Sequence, residues 1–258
     1  RLPQPGRQPR VTTMPTLTAA GIEPLFRLLS RYMPLDEEDR EALSALETGP
    51  ICTRDARTDI AREGENPTVI RLLVSGWACR YKDLPDGRRQ IVGFFLPGDF
   101  CDLNVYILQE LDHSIGALTS VQFYEIQPEQ FQEVIDQRPN LIRALLWHEM
   151  VSSGIQRQWL LSIGQRSALE RLAHLFVELY YRLQAVGLAT GLTIELPITQ
   201  NHLAEANGLS PVHLNRTLQE MRREGLIELS DRQLKIVDLK HLKKVAMFNS
   251  NYLHFNRT

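Results

Sequence analysis

The chain has 258 residues, 43% of them hydrophobic and 23% charged, which is enough for a buried core and too apolar for general disorder. A formal net charge of −2 excludes a polycation that coats nucleic acid indiscriminately. There is no apolar run of bilayer length, no secretory signal is expected, and the three scattered cysteines Cys52, Cys79 and Cys101 fit a reducing, cytoplasmic compartment better than a disulfide framework.

Residues 1–16 begin "RLPQPGRQPRVTT", with three Pro, three Arg and no acid, and are expected to form a disordered arm. From Thr18 to Leu46 the pattern is helical with a break at Pro34. "LDEEDREALSAL" crowds acids into a first turn and sets Leu35, Leu43 and Leu46 on one side. Between Ile51 and Ile126 short β-branched and aromatic runs alternate with turn signals at Glu63-Gly64, Ser75-Gly76, Asp86-Gly87 and Pro97-Gly98. This spacing predicts a sandwich or roll, within a first domain spanning 17–137.

The helical period returns after Pro128. Residues 138–164 predict one long helix of about seven turns. Its positions Leu141, Leu145, His148, Ser152, Ile155, Trp159 and Ser162 recur at spacings of four and three, which suits either pairing between two subunits or packing on the helix's own domain. A second helix, from Ser167 to about Val186, carries a core stripe of Leu169, Leu172, Phe176, Leu179 and Leu183. Gly187 and Gly191 then release the chain into the extended segment "LTIELPIT".

The stretch "TQNHLAEANGLSPVHLNRTLQEMRREGLIEL" belongs to the last unit, 165–258. Thr199 can cap a helix with Leu203 and Ala206 inward, and Ala204 is small enough for a second helix to cross closely. Asn207-Gly208 ends that helix, and Leu209 plugs the turn. Ser210 caps the next helix, with Pro211 at its first position. Leu214, Leu218 and Met221 form its buried stripe, which leaves Val212, Asn215, Arg216 and Gln219 outward. "EGLIELSDRQLKIVDL" follows as a hairpin. The pattern is a winged helix-turn-helix, whose second helix commonly enters the major groove of double-stranded DNA. From Pro197 onward nine Lys/Arg face six Asp/Glu, a mild basic bias.

"PGDFCDL", "SALERLAHLF" and "LAEANGLSPVHLNRTLQEMRREGLI" together resemble the Crp/Fnr family of bacterial transcription regulators, over most of the chain from Leu17. The resemblance implies an α+β chain with an N-terminal cyclic-nucleotide-binding-like β-roll, a long dimerisation helix and a C-terminal winged helix-turn-helix. It also implies a homodimer on a pseudo-palindromic promoter site and RNA polymerase as a partner. Carried over by position, Thr199, Asn201, Ser210 and His213 fall where the family touches phosphate, and Pro211, Val212 and Arg216 where it reads bases. Arg216 keeps the usual arginine, which pairs bidentately with guanine. Pro211 and Val212 replace a charged pair, and Asn215 is placed to read adenine.

For an effector, the resemblance points to a pocket around Gly98, Asp99, Cys101, His113 and Ser114. Gly98-Asp99 matches the usual Gly-Glu pair, but the usual Arg-Ser pair is missing. Asp112 stands nearby and would repel a cyclic phosphate, while Gln156 and Arg157 replace the hydroxyl pair of the long helix. Cyclic AMP held in the family's usual way is therefore not expected. Nor is an iron–sulfur cluster, which needs clustered N-terminal cysteines, or haem, for which Cys79, Cys101 and His113 are the candidate ligands. An unidentified small effector, or none, is the expectation. No hydrolase elbow, zinc-protease helix, P-loop or dinucleotide fingerprint occurs, so the chain is not expected to be an enzyme. The alternative reading is a cyclic-nucleotide-responsive interaction module that does not bind DNA.

Overall fold

The computed structural model describes residues 21–47, 49–101, 103 and 110–255; the expected N-terminal arm lies outside them. Two short helices come first, α1 (Glu23–Ser30) and α2 (Glu37–Ser44), separated at Pro34 as the sequence suggests. α2 starts at a reciprocal cap between Asp36 and Asp39, which satisfies two end groups of the helix at once. Arg138, far along the chain, closes over this cap, with Nε 2.7 Å from the buried Asp39 carboxylate and Nη2 2.6 Å from Asp36.

Seven strands follow: β1 (Ile51–Arg54), β2 (Asp59–Ala61), β3 (Ile70–Ser75), β4 (Ala78–Asp83), β5 (Arg89–Phe95), β6 (Ser114–Ala117) and β7 (Val121–Ile126). They form two antiparallel sheets, ordered β1-β7-β3 and β2-β6-β4-β5, as expected of a roll. Leu73, Ala78, Phe95, Ile115 and Phe123 fill the space between the sheets. The tight β3–β4 turn needs Gly76, which has φ +79°; a Cβ there would stand 2.2 Å from the Ser120 carbonyl oxygen. The period of two puts Cys79, Tyr81 and Ile91 on the opposite face, where they join the core that also contains the helix-turn-helix.

α3 (Pro128–Gln137) leads into the long helix α4 (Pro139–Gln165), which runs slightly beyond its expected end. The seam at Leu141, Leu145, Trp159 and Ser162 is buried against the rest of the chain, and His148, Ser152 and Ile155 are partly buried. The open choice about this seam is thus resolved in favour of intrachain packing. A neighbouring stripe one step round the helix, Ile142, Leu146, Met150 and Leu160, stays exposed. α5 (Ala168–Ala185) starts at a Ser167–Glu170 capping box and buries Leu172, Phe176, Leu179 and Leu183.

The last unit contains β8 (Ala189–Thr190), β9 (Thr193–Glu195), α6 (Gln200–Asn207), α7 (Pro211–Arg223), β10 (Ile227–Ser230), β11 (Gln233–Ile236) and α8 (Leu239–Val245). Its sheet runs β10-β11-β9-β8. The wing turns through Asp231 and Arg232, both with positive φ, as a two-residue primed turn requires. α6 lies along β5, and the Gln90 side-chain amide donates to the Glu205 carbonyl at 2.6 Å.

Beyond α8 the chain turns back onto α4, α5 and the segment after α1. Phe248 stacks on Tyr181 and Phe255 on Tyr32, and His254 meets Trp147 edge-on. Leu253 is fully buried. The Tyr252 hydroxyl donates to Glu178 Oε2 at 2.9 Å, and Trp159 Nε1 donates to Oε1 at 3.0 Å. Burial holds the Glu178 carboxyl above its ordinary pKa, and the Arg182 charge followed by these two donors offsets part of that cost.

Candidate DNA-reading surface and effector cavity

The reading surface is built from its caps outward. The Thr199 hydroxyl accepts from His202 N–H at 3.3 Å and starts α6. Gly208, with φ +60°, stops it in the left-handed conformation. The Ser210 hydroxyl accepts from His213 N–H at 3.3 Å to start α7, and Pro211 occupies the first turn where no N–H is missed. Leu214, Leu218 and Met221 are completely buried against α5 and α6 and fix the rotation of α7. Val212, Asn215, Arg216 and Gln219 are consequently exposed, as the sequence pattern predicts, with Val212 open over 76% of its surface, and Pro211 and His213 are exposed beside them.

The side chains of this face are partly organised in advance. Asn215 Nδ2 donates to Gln200 Oε1 at 3.2 Å and Gln219 Nε2 donates to Asn215 Oδ1 at 2.9 Å, giving an amide chain from α6 to α7. Gln200 is a member the sequence reading missed; its place as first residue of α6 was the available signal. Arg216 forms no salt bridge with any described residue, and its guanidinium is free to pair with an acceptor. Thr199 and Asn201 sit at the edge of a cleft of about 390 Å³ between α6 and the roll, opposite Arg57 and Arg89. Burial, followed by the Arg57 and Arg89 charges, holds His202 below its ordinary pKa.

The expected effector residues are not gathered into one site. Gly98, with φ +96°, packs its backbone against α1, where a Cβ would lie 2.9 Å from Leu25 N. Asp99 is buried; its Oδ2 accepts from Leu96 N–H at 2.8 Å and from Arg182 Nη2 of α5 at 2.9 Å. Cys101 is packed in the roll interior. The Ser114 hydroxyl accepts from Glu63 N–H at 3.0 Å, and His113 bridges Asp112 and Arg80. Of these five, Asp99 lines the cavity between the roll and α4, together with Tyr32, Arg80, His148 and Ser152. That cavity measures about 60 Å³, room for a few waters, whereas nucleotide-sized ligands need pockets of about 300 Å³ or more.

A family profile described as "Crp-like helix-turn-helix domain" matches residues 170–245, and another described as "Cyclic nucleotide-binding domain" matches residues 54–138. The chain is 33% identical over 185 residues to the nitrogen fixation regulation protein FixK of Bradyrhizobium diazoefficiens, covering 71% of this chain and 76% of that protein. The chain belongs to the Crp/Fnr family of transcription regulators. It is also 30% identical over 217 residues to the transcriptional activatory protein AadR of Rhodopseudomonas palustris, covering 83% of this chain and 86% of AadR. The solved structure of FixK2 from Bradyrhizobium japonicum shares the fold with a TM-score of 0.68 at 22% identity, over 77% of this chain and 97% of that one. The relatives and fold neighbours of this Crp/Fnr chain are transcription regulators, not enzymes, and it binds DNA through its helix-turn-helix.

The cyclic-nucleotide-binding profile raises the question of whether these residues suit such a nucleotide. The Asp99 carboxylate is already paired with Arg182. The family's Arg-Ser pair is replaced by His113-Ser114, and the cavity is several times too small. Among the described residues no three His, Cys, Asp or Glu side chains gather as a metal set, and no helix is long and apolar enough to cross a membrane.

Proposed function

We propose that the chain acts in the cytoplasm as a homodimer on pseudo-palindromic promoter DNA, in contact with RNA polymerase and under a small effector seated in the roll. The observation that carries the dimer is the exposed stripe Ile142, Leu146, Met150 and Leu160 on α4, in a protein whose other long apolar stripe is already buried. Continued by Ser153, Arg157 and Gly164, it keeps the spacing of three and four that suits a parallel helix pair. Two such chains present two copies of α7, each to be seated in a major groove about one helical turn from the other. The pairing of Asp99 and the loss of the Arg-Ser pair support an effector other than cyclic AMP. The burial of Cys79, whose thiol is pushed up to about 12, supports the absence of haem and iron–sulfur ligation.

A gel-shift titration of the promoter region of the protein's own gene, at low salt with random competitor DNA, tests the reading. A retained complex that resists competitor is expected. Equal displacement by random DNA would favour an interaction module without sequence-specific binding.

A further inference from the structure

The roll interior holds a charged group that DNA binding does not use. In β4 the alternation turns Cys79 and Tyr81 toward the helix-turn-helix, while Ala78 and Arg80 point to the other side. Arg80 lies opposite Gly93 of β5 and Ile115 of β6, with its guanidinium 5.1 Å from the centre of the Phe95 ring. Its Nε donates to His113 Nε2 at 3.1 Å, and His113 Nδ1 stands 2.6 Å from Asp112 Oδ1. Since Nε2 accepts, the ring proton must be on Nδ1, donated to Asp112. The imidazole is therefore neutral and fixes the orientation of Arg80 without cancelling its charge. Burial and the Arg80 charge both hold His113 below its ordinary pKa, which keeps it in that form.

Nothing among the described residues neutralises Arg80 directly. It forms no salt bridge with them, and its two terminal nitrogens make no hydrogen bond to them. Burial of the guanidinium opposes its charge, and the nearby Glu149, Asp112 and Asp99 carboxylates offset this without a direct ion pair. Arg80 lines the small cavity between the roll and α4, as do Tyr32, His148 and Ser152. His148 Nδ1 is buried there without a partner. Asp99, the nearest expected effector residue, is already engaged by Arg182 and Leu96 N–H.

We propose that Arg80 makes this cavity a receptor for a small planar monoanion, a short carboxylate or an ion of nitrate shape, gripped by the forked guanidinium. The fork matches two oxygens of such an ion, and the Ser152 and Tyr32 hydroxyls and His148 Nδ1 are the remaining polar groups at hand to orient it. Size excludes a nucleotide. Charge disfavours a dianion, because Asp99 and Glu149 border the same cavity. The proposal rests on the regulatory reading only in calling the ion an effector; the binding site itself does not depend on it.

Calorimetric titration of the full chain with sodium formate, acetate and nitrate, at constant ionic strength in sodium chloride and with sulfate as dianion control, tests this. Saturable binding of one ion per chain is expected for at least one monoanion, with Kd of about 1 mM or tighter, a range open to a ligand of three or four heavy atoms. Arg80→Met should weaken it at least about tenfold, and Arg80→Lys less, since a point charge replaces the fork. Ser152→Leu, which fills the cavity and leaves Arg80 in place, should also abolish it and serves if Arg80→Met does not fold. No saturation by any of the three monoanions, binding of sulfate as tight as theirs, or undiminished binding by Arg80→Met or Ser152→Leu overturns the proposal. DNA binding is read separately on the same preparations. Absence of anion binding by wild type with intact DNA binding counts against this site alone, and absence of DNA binding by wild type with intact anion binding counts against the DNA reading alone.

Discussion

Arg216 stands exposed on α7 with no carboxylate among the described residues to hold it, one helical step from the Asn215 amide chain. Arg216→Ala should cost about 1–3 kcal/mol of DNA affinity and relax the preference at one base pair, measured by competition against a panel of single-base variants. An equal loss on every sequence would make Arg216 a phosphate clamp. A different single residue contributes to acid stability. His174 is buried with Nε2 unpartnered, between the rings of Phe248 and Tyr252, and burial lowers its pKa from 6.5 to about 3. The unfolded chain therefore takes up this proton first as pH falls below about 6.5, and the native state loses up to about 1.4 kcal/mol per unit until the folded group titrates. Above that window the residue contributes no pH dependence. Denaturant melts of wild type and His174→Phe between pH 7 and pH 4 should show the smaller slope in the variant. Parallel curves would mean that His174 does not resist protonation.

At the scale of elements, the segment after α8 carries more than its length suggests. Tyr252, Leu253 and Phe255 join the winged helix-turn-helix unit to α4, α5 and the segment after α1, and Gly154 of α4 is held small because a Cβ there would lie 3.2 Å from the Tyr252 carbonyl oxygen. Tyr252→Phe deletes one donor to the buried Glu178 carboxylate and should cost about 1–3 kcal/mol in a thermal or urea melt. Trp159 keeps the other oxygen satisfied, so the fold itself should persist. A melt unchanged within error would show that water replaces the hydroxyl without loss. On α4 the two heptad-spaced stripes do different jobs, one packed within the chain and the other left outside. Leu146→Glu places a charge in the outer stripe and should shift the protein from dimer to monomer in light scattering, with unchanged helicity. A dimer that survives the charge would move the subunit contact elsewhere.

For the whole molecule, legibility in the sequence followed how local each signal was. The helix-turn-helix was readable almost residue by residue, because Thr199, Gly208, Ser210 and Pro211 each act on neighbours within four positions. The roll was readable as a class from its turn glycines, but its strand pairing, set by contacts such as Leu72 with Tyr124, was not. The role of the α4 seam stayed open because period alone gives a face and not its occupant. Asp99 matched a phosphate-site position by sequence, yet its carboxylate is taken by Arg182, 83 residues away. Arg80 went unnoticed for a similar reason: within β4 it sits near Lys82 and Asp83 and reads as surface charge, and only the sheet shows that it points inward. The closing segment, 248–255, was invisible because its aromatic partners Tyr32, Tyr181 and Trp147 come from three distant places.

The central claim is that two copies of α7 read DNA together. Selection of bound sequences from a random duplex pool, with wild type and Leu146→Glu side by side, tests it most directly. The account predicts that wild type enriches a pseudo-palindrome with half-sites about 10 base pairs apart, and that Leu146→Glu loses the paired pattern. Enrichment of a single asymmetric half-site by wild type, or of no sequence at all, would contradict it.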